Sequence, residues 1–229
     1  METELHQLPQ VESAQGRIPL VARRVEVAGH RFELLHPRSV DELIDERDFD
    51  VDGRLPYWAE LWPSGRALAA RLARERGNGR RLLELGTGIG LPSLVAVRVG
   101  FTALATDYYQ AAIELLRANA ERNGVSELTT RLLDWRNFPD DLGRFDVVAA
   151  SDVLYERPNV PLVAGAFLRA LAPGGLGLVS DPGRRSAVNF AAECQRCGLS
   201  CVLTDRIAMV DGTSHPTIDL YEVRRAREA

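Results

Sequence analysis

No run of apolar residues in this chain approaches the ~20 needed to span a membrane as a helix. The polar start, residues 1–15, lacks the apolar core of a secretory signal, so a soluble, cytoplasmic protein without membrane contact is expected. Positive charge is not in excess either. The formal net charge is −4, which gives no general attraction to nucleic acid. Cysteine is scarce, and Cys194, Cys197 and Cys201 cannot make a structural zinc site, because four ligands are needed and neither a second pair nor a nearby histidine is on offer. Reduced thiols packed near the end of a C-terminal helix, with no metal, are the expectation. Internal repeats, low-complexity tracts and a convincing linker are all missing. What remains is 229 residues with 45% hydrophobic content, enough for one sizeable core.

The most informative stretch is Leu82-Leu83-Glu84-Leu85-Gly86-Thr87-Gly88-Ile89-Gly90. An apolar run, an acid and three alternate glycines describe a buried strand, a tight turn and a helix N-terminus. Glycines accept φ > 0 and admit a ligand close to the main chain, and the first amides of a helix suit an anionic group. A dinucleotide site calls for Gly-x-Gly-x-x-Gly. Here Gly90 comes one position early and Leu91 stands where that pattern has Gly or Ala. Asp107 follows 21 residues after Gly86, near the ~20-residue offset at which a carboxylate on the next strand accepts two ribose hydroxyls. The alternative is a cap for the helix that follows; one loop can hold both roles, and the joint spacing favours the ribose.

Periodicity gives an alternating α/β order. A hairpin is expected over 24–35, an acidic surface stretch over 41–52, and flexibility over the first ~20 residues. Helices are expected over 64–76, 91–99, 110–122, 159–171 and 185–197, with strands over 81–85, 102–106, 128–133, 145–150 and 176–180. This order implies right-handed βαβ units and a mostly parallel sheet. Strand-like segments at 200–207 and 217–223, joined by a short loop with Asp211-Gly212, should close it as an antiparallel hairpin. Ligands in such sheets sit beyond the carboxyl ends of the strands. There stand Asp134 and Trp135, the segment Ser151-Asp152-Val153-Leu154-Tyr155-Glu156, and Asp181-Pro182-Gly183-Arg184. An acid can accept from the amine of an adenine, and an indole can lie against its ring.

The glycine loop with Glu84 resembles motif I of class I S-adenosylmethionine-dependent methyltransferases. Pro56-Tyr57-Trp58-Ala59-Glu60-Leu61-Trp62-Pro63-Ser64-Gly65 ahead of it, Leu133-Asp134-Trp135 and Ser151-Asp152-Val153-Leu154-Tyr155 resemble, more selectively, the seven-strand protein lysine methyltransferases. Within these, the chain is most similar to the branch that modifies the electron-transfer flavoprotein β-subunit. The resemblance implies a Rossmann-like seven-stranded fold with an N-terminal β-hairpin extension over 1–55 and a methyltransferase domain over 56–229. It implies S-adenosylmethionine as cofactor, held by Trp62, Glu84, Gly86, Thr87, Gly88, Gly90, Asp107, Tyr108, Asp134, Trp135 and Ser151. Asp152 and Tyr155 would face the transferred methyl, Tyr57 and Trp58 the substrate amine. The implied product is N-methyllysine in a protein, from a monomeric enzyme. A nicotinamide-like small-molecule N-methyltransferase and a non-catalytic S-adenosylmethionine-binding module are the alternatives, since an aromatic cation pocket suits several amines.

Overall fold

The structure, a computed structural model, describes residues 10–13, 16–38 and 57–226. The acidic stretch expected over 41–52, and Pro56, lie outside these residues. Among the described residues, ten strands form two sheets. Strands β1 (Gln10–Ser13), β2 (Gly16–Val27) and β3 (His30–Pro37) make an antiparallel three-stranded sheet. The expected hairpin is there, turning at Ala28 and Gly29. It is longer than its alternating stretch: β2 starts at Gly16, within residues expected to be flexible, because its N-terminal half pairs with β1.

The second sheet holds β4 (Arg81–Leu85), β5 (Thr102–Asp107), β6 (Thr129–Leu132), β7 (Phe145–Ser151), β8 (Leu171–Asp181), β9 (Leu199–Ala208) and β10 (Thr217–Arg225). Their spatial order is β6-β5-β4-β7-β8-β10-β9. Strands β4 to β8 are parallel, and β10 runs antiparallel between β8 and β9. The terminal hairpin therefore closes the sheet as expected, with its last strand inserted inward.

Successive residues of the central strands point to opposite faces, and both faces are covered by helices. Leu82, Val147 and Ala149 join one core with helices α1 (Pro63–Leu72), α2 (Leu91–Arg98) and α3 (Gln110–Arg122). Leu20, Val25, Phe32 and Leu34 of the N-terminal sheet belong to that same cluster. Leu83, Val148 and Ala150 join the other core with α4 (Asn159–Ala170) and α5 (Phe190–Arg196). Helix α5 begins five residues later than the pattern predicts. Residues 181–186 are taken up by a turn, and Ala187–Asn189 form a single 3-10 turn.

The strand order reverses between β4 and β7. A crevice must open beyond their carboxyl ends, since the loops leaving them go to opposite sides.

Candidate active site

A cleft lies at that reversal, lined from the 57–65 segment, the glycine loop, the tip of β5, residues 133–136 and the segment after β7. The glycine loop forms its floor. Gly86, Gly88 and Gly90 all have φ between +52° and +90°, a region L side chains rarely enter. At Gly90 a Cβ would also stand 2.0 Å from Leu116 Cδ1 of α3, and at Gly86 it would reach 3.0 Å from Val153 Cγ1 and 3.5 Å from the Trp135 ring. The loop thus lies close between α3, the tip of β7 and the Trp58 carbonyl, with no room for side chains at its glycines.

Its own amides largely hold it in place. Thr87 N donates to Thr106 O (2.9 Å), Gly90 N to Thr87 O (3.0 Å) and Gly88 N to Asp107 Oδ2 (3.0 Å). Pro92 has no N–H, and both the amide and the hydroxyl of Ser93 reach Glu84. The helix N-terminus accordingly offers a ligand fewer amides than the sequence pattern implies.

Glu84, expected among the cofactor contacts, lies beneath the loop instead of facing the cleft. It is fully buried, and its Oε2 accepts from Thr87 Oγ1 (3.0 Å) and from Ser93 Oγ. Burial pushes its carboxyl up to about 8. A neutral Glu84 ties the loop to the first turn of α2.

Asp107 closes β5 at the edge of the cleft. Its Oδ1 accepts from Tyr109 N and its Oδ2 from Gly88 N, both at 3.0 Å. Burial raises its carboxyl above the usual range, against these backbone bonds. The Tyr108 amide also acts on this carboxylate, which as an acceptor-only group can take further donors, as a vicinal diol requires.

Tyr108 and Trp135 line the next part of the cleft, and Arg136 lies 5.1 Å from the Tyr108 ring centroid. Asp134, expected to accept from an adenine amine, also borders the cleft. Its oxygens accept from Arg136 N (3.0 Å), Arg136 Nε (2.8 Å) and Asn137 Nδ2 (3.3 Å), capping the turn Trp135–Asn137. Arg136 holds its carboxyl below the usual range.

The other half of the cleft is aromatic. Trp62 Nε1 donates to Tyr57 O (2.8 Å), folding the 57–62 segment on itself ahead of α1. The Tyr57 ring meets Trp62 at 6.0 Å and Tyr155 at 5.5 Å, both edge to face. Trp58 leans on Tyr109 at 6.5 Å, and its carbonyl lies over Gly88. Ser151 and Asp152 stand between the two halves. Asp152 has φ +52° and both its oxygens are gripped by Arg184, with Nε at 2.9 Å from Oδ1 and Nη2 at 3.2 Å from Oδ2.

The cleft therefore gathers Tyr57, Trp58, Trp62, Gly86, Thr87, Gly88, Gly90, Asp107, Tyr108, Asp134, Trp135, Ser151, Asp152 and Tyr155. Arg184 was not among the expected site residues, although its segment was noted at a strand end. The signal available was Asp181-Pro182-Gly183, whose turn aims the next side chain back at β7.

The model of a methyltransferase domain family matches residues 57–199. An electron transfer flavoprotein beta subunit lysine methyltransferase of Xenopus laevis is 30% identical over 56% of this chain and 53% of its own length. A protein-lysine methyltransferase of Mus musculus is 32% identical over 47% of this chain and 49% of its own. The chain spans about half the length of these curated relatives. The crystal structure of the glycopeptide N-methyltransferase MtfA complexed with sinefungin superposes with a TM-score of 0.55 at 15% identity, over 70% of this chain and 92% of that one. With the family match covering the glycine loop, the tip of β5 and the segment after β7, the chain belongs to the methyltransferase domain family.

Proposed function

We propose that the protein transfers a methyl group from S-adenosylmethionine to lysine side chains of a protein substrate. The observation that carries this reading is the two-part cleft, with a glycine floor and the Asp107 carboxylate on one side and an aromatic, carboxylate-bearing pocket on the other.

S-adenosylmethionine, the cofactor this family and fold imply, supplies a methyl already activated on a cationic sulfonium. The residues present fit it: Asp107 has acceptors for two hydroxyls, Gly86 leaves room beside Trp135, and Gly88 follows the floor of the cleft. The protein's work is then largely positioning. Tyr57, Trp62 and Tyr155 form an aromatic wall whose ring faces suit an incoming cation. A free lysine amine, with a pKa near ~10.4, arrives protonated. Desolvation in this pocket and repulsion from the nearby positive charge favour the neutral amine, which gives its proton to solvent. Asp152 would accept an N–H of the amine and so hold the nitrogen lone pair toward the donor methyl.

The flavoprotein β-subunit named in the relatives is the first substrate to assay. The deciding experiment adds S-adenosylmethionine with a radiolabelled methyl group and the purified protein to whole-cell extract. Label on a discrete protein band, recovered as methyllysine after hydrolysis, is the expected result. Label confined to small molecules would overturn the reading in favour of a nicotinamide-like substrate. The chain itself contains no lysine, so methyllysine cannot come from automethylation.

A further inference from the structure

The turn after β8 carries a feature that methyl transfer alone does not require. Asp181 ends β8, and its Oδ1 accepts from Gly183 N (2.8 Å) and Arg184 N (2.7 Å). This is the local side-chain-to-backbone bonding of an Asx turn, and Gly183 supports it with a φ of +82°. The turn delivers the Arg184 guanidinium to the end of the neighbouring strand, where it makes two bonds to Asp152 and lies 5.8 Å from the Trp62 ring centroid. The Asp152 side chain is only 6% exposed, that of Arg184 38%. The pair is therefore a buried anion held by a cation entering from the rim. Asp152 also occupies a backbone conformation that non-glycine residues rarely adopt, and its amide donates to Ser180 O (2.9 Å) at the end of β8. Strain of this kind persists only where the surroundings impose it, and it clusters at functional sites.

We propose that Arg184, set by the Asp181 turn, is a positioning residue that fixes the direction of both Asp152 oxygens, so that Asp152 meets the substrate amine as an oriented acceptor and not as a mobile base. A two-pronged guanidinium grip has a fixed plane, which a single contact would not impose. The neighbouring Asp181 is pushed up by burial and by Asp152, and its oxygen is taken by the backbone amides of the turn and not by the guanidinium. The consequence for catalysis rests on the methyl-transfer reading; the dependence of Asp152 on Arg184 does not.

The test uses the full-length chain carrying Arg184→Ala, with methylguanidinium as a replacement for the missing group. The expected result is a loss in kcat/KM on the methylated protein of ~100-fold, with the S-adenosylmethionine Kd changed by less than ~3-fold. Millimolar methylguanidinium should restore at least ~10-fold of that activity, and Arg184→Lys should restore less, because an ammonium lacks the fork. Without any turnover assay, methylguanidinium should raise the Tm of Arg184→Ala saturably and fail to do so in Arg184→Ala/Asp152→Asn. Wild-type activity in Arg184→Ala, or a loss that methylguanidinium restores neither in rate nor in Tm while S-adenosylmethionine still binds, would overturn the proposal. If the wild-type protein methylates no protein at all, the lysine reading fails while the Tm titration still decides the role of Arg184.

Discussion

Each of the two carboxyls flanking the glycine loop does one job, and position separates them: Asp107 borders the cleft and Glu84 does not. Glu84, pushed up to about 8, keeps its proton in the native state where the unfolded chain, at an ordinary value of 4.5, has released it. The native state then binds more protons between those two values, so this contribution to stability is complete below pH about 4.5 and declines as pH rises to about 8. Replacing Glu84 by Gln keeps an acceptor for Thr87 and Ser93 and removes the titration. The difference in urea midpoint between Glu84→Gln and wild type should therefore grow in favour of the variant from about pH 5 to about pH 9. Two parallel curves would refute a protonated Glu84. Asp107 makes the opposite demand. Both of its oxygens receive a backbone N–H, so Asp107→Asn sets an amide N–H against one of those donors and removes an acceptor from the ligand side. Calorimetry should show S-adenosylmethionine binding weakened by about 1.5–3 kcal/mol, the usual size for a hydrogen bond to a charged group.

These two residues also mark what a sequence reveals. The glycine spacing and the offset to Asp107 are local enough to read directly. The downward aim of Glu84 is not, because β4 is covered on both faces and shows no polar alternation to assign its sides. The grip of Arg184 on Asp152 joins the ends of two adjacent strands and follows no periodicity, so the Asp181-Pro182-Gly183 turn was its one local signal.

At the scale of elements, α3 protects a sheet edge with side chains. Asn119 Oδ1 accepts from Leu35 N (2.6 Å), and its Nδ2 donates to Leu35 O (3.2 Å) and Ile89 O (2.9 Å). One turn on, Asn123 does the same for Glu33, accepting from its N (2.8 Å) and donating to its O (2.9 Å). Two amides four residues apart share one helix face, and Leu35 and Glu33 share one edge of β3, so the helix takes the place of a fourth strand. Exposed edges invite pairing with other chains, and this one is covered. The same Asn119 amide reaches the glycine loop, fastening the N-terminal sheet to the cleft floor. Asn119→Leu leaves two carbonyls and one N–H buried without partners. A destabilisation of about 3 kcal/mol or more is expected by urea denaturation. Asn123→Ala, at a half-buried position that water can reach, should lose about 1 kcal/mol. Equal effects would argue against the burial difference as the cause. Helix α3 itself was read correctly from residue 110 to 122. Its asparagines looked like ordinary surface polar residues, because their partners on β3 lie 84 to 90 residues earlier in the chain.

For the molecule as a whole, the question is whether the N-terminal sheet and the cleft respond as one body. The core argues that they do: Leu20, Phe32 and Leu34 sit in the same apolar cluster as Leu91, Leu94 and Leu116, and Leu116 also lies against Gly90. The cleft meanwhile draws on the tips of β4, β5 and β7 and on the segment ahead of α1, so a bound ligand contacts elements from both faces of the sheet. A ligand present at ~100 times its Kd stabilises the native state by about 2.7 kcal/mol. In a domain of this size each kcal/mol is worth about 2–4 °C, so S-adenosylmethionine should raise Tm by ~5–10 °C. It should do so in a single transition that carries the N-terminal sheet with it. NAD should leave Tm unchanged, since the early third glycine and Leu91 depart from a dinucleotide loop. Two transitions, with only the later one moved by S-adenosylmethionine, would show that the Asn119 and Leu116 contacts do not couple the sheet to the cleft. A shift with NAD in place of S-adenosylmethionine would remove the assignment of the donor half altogether.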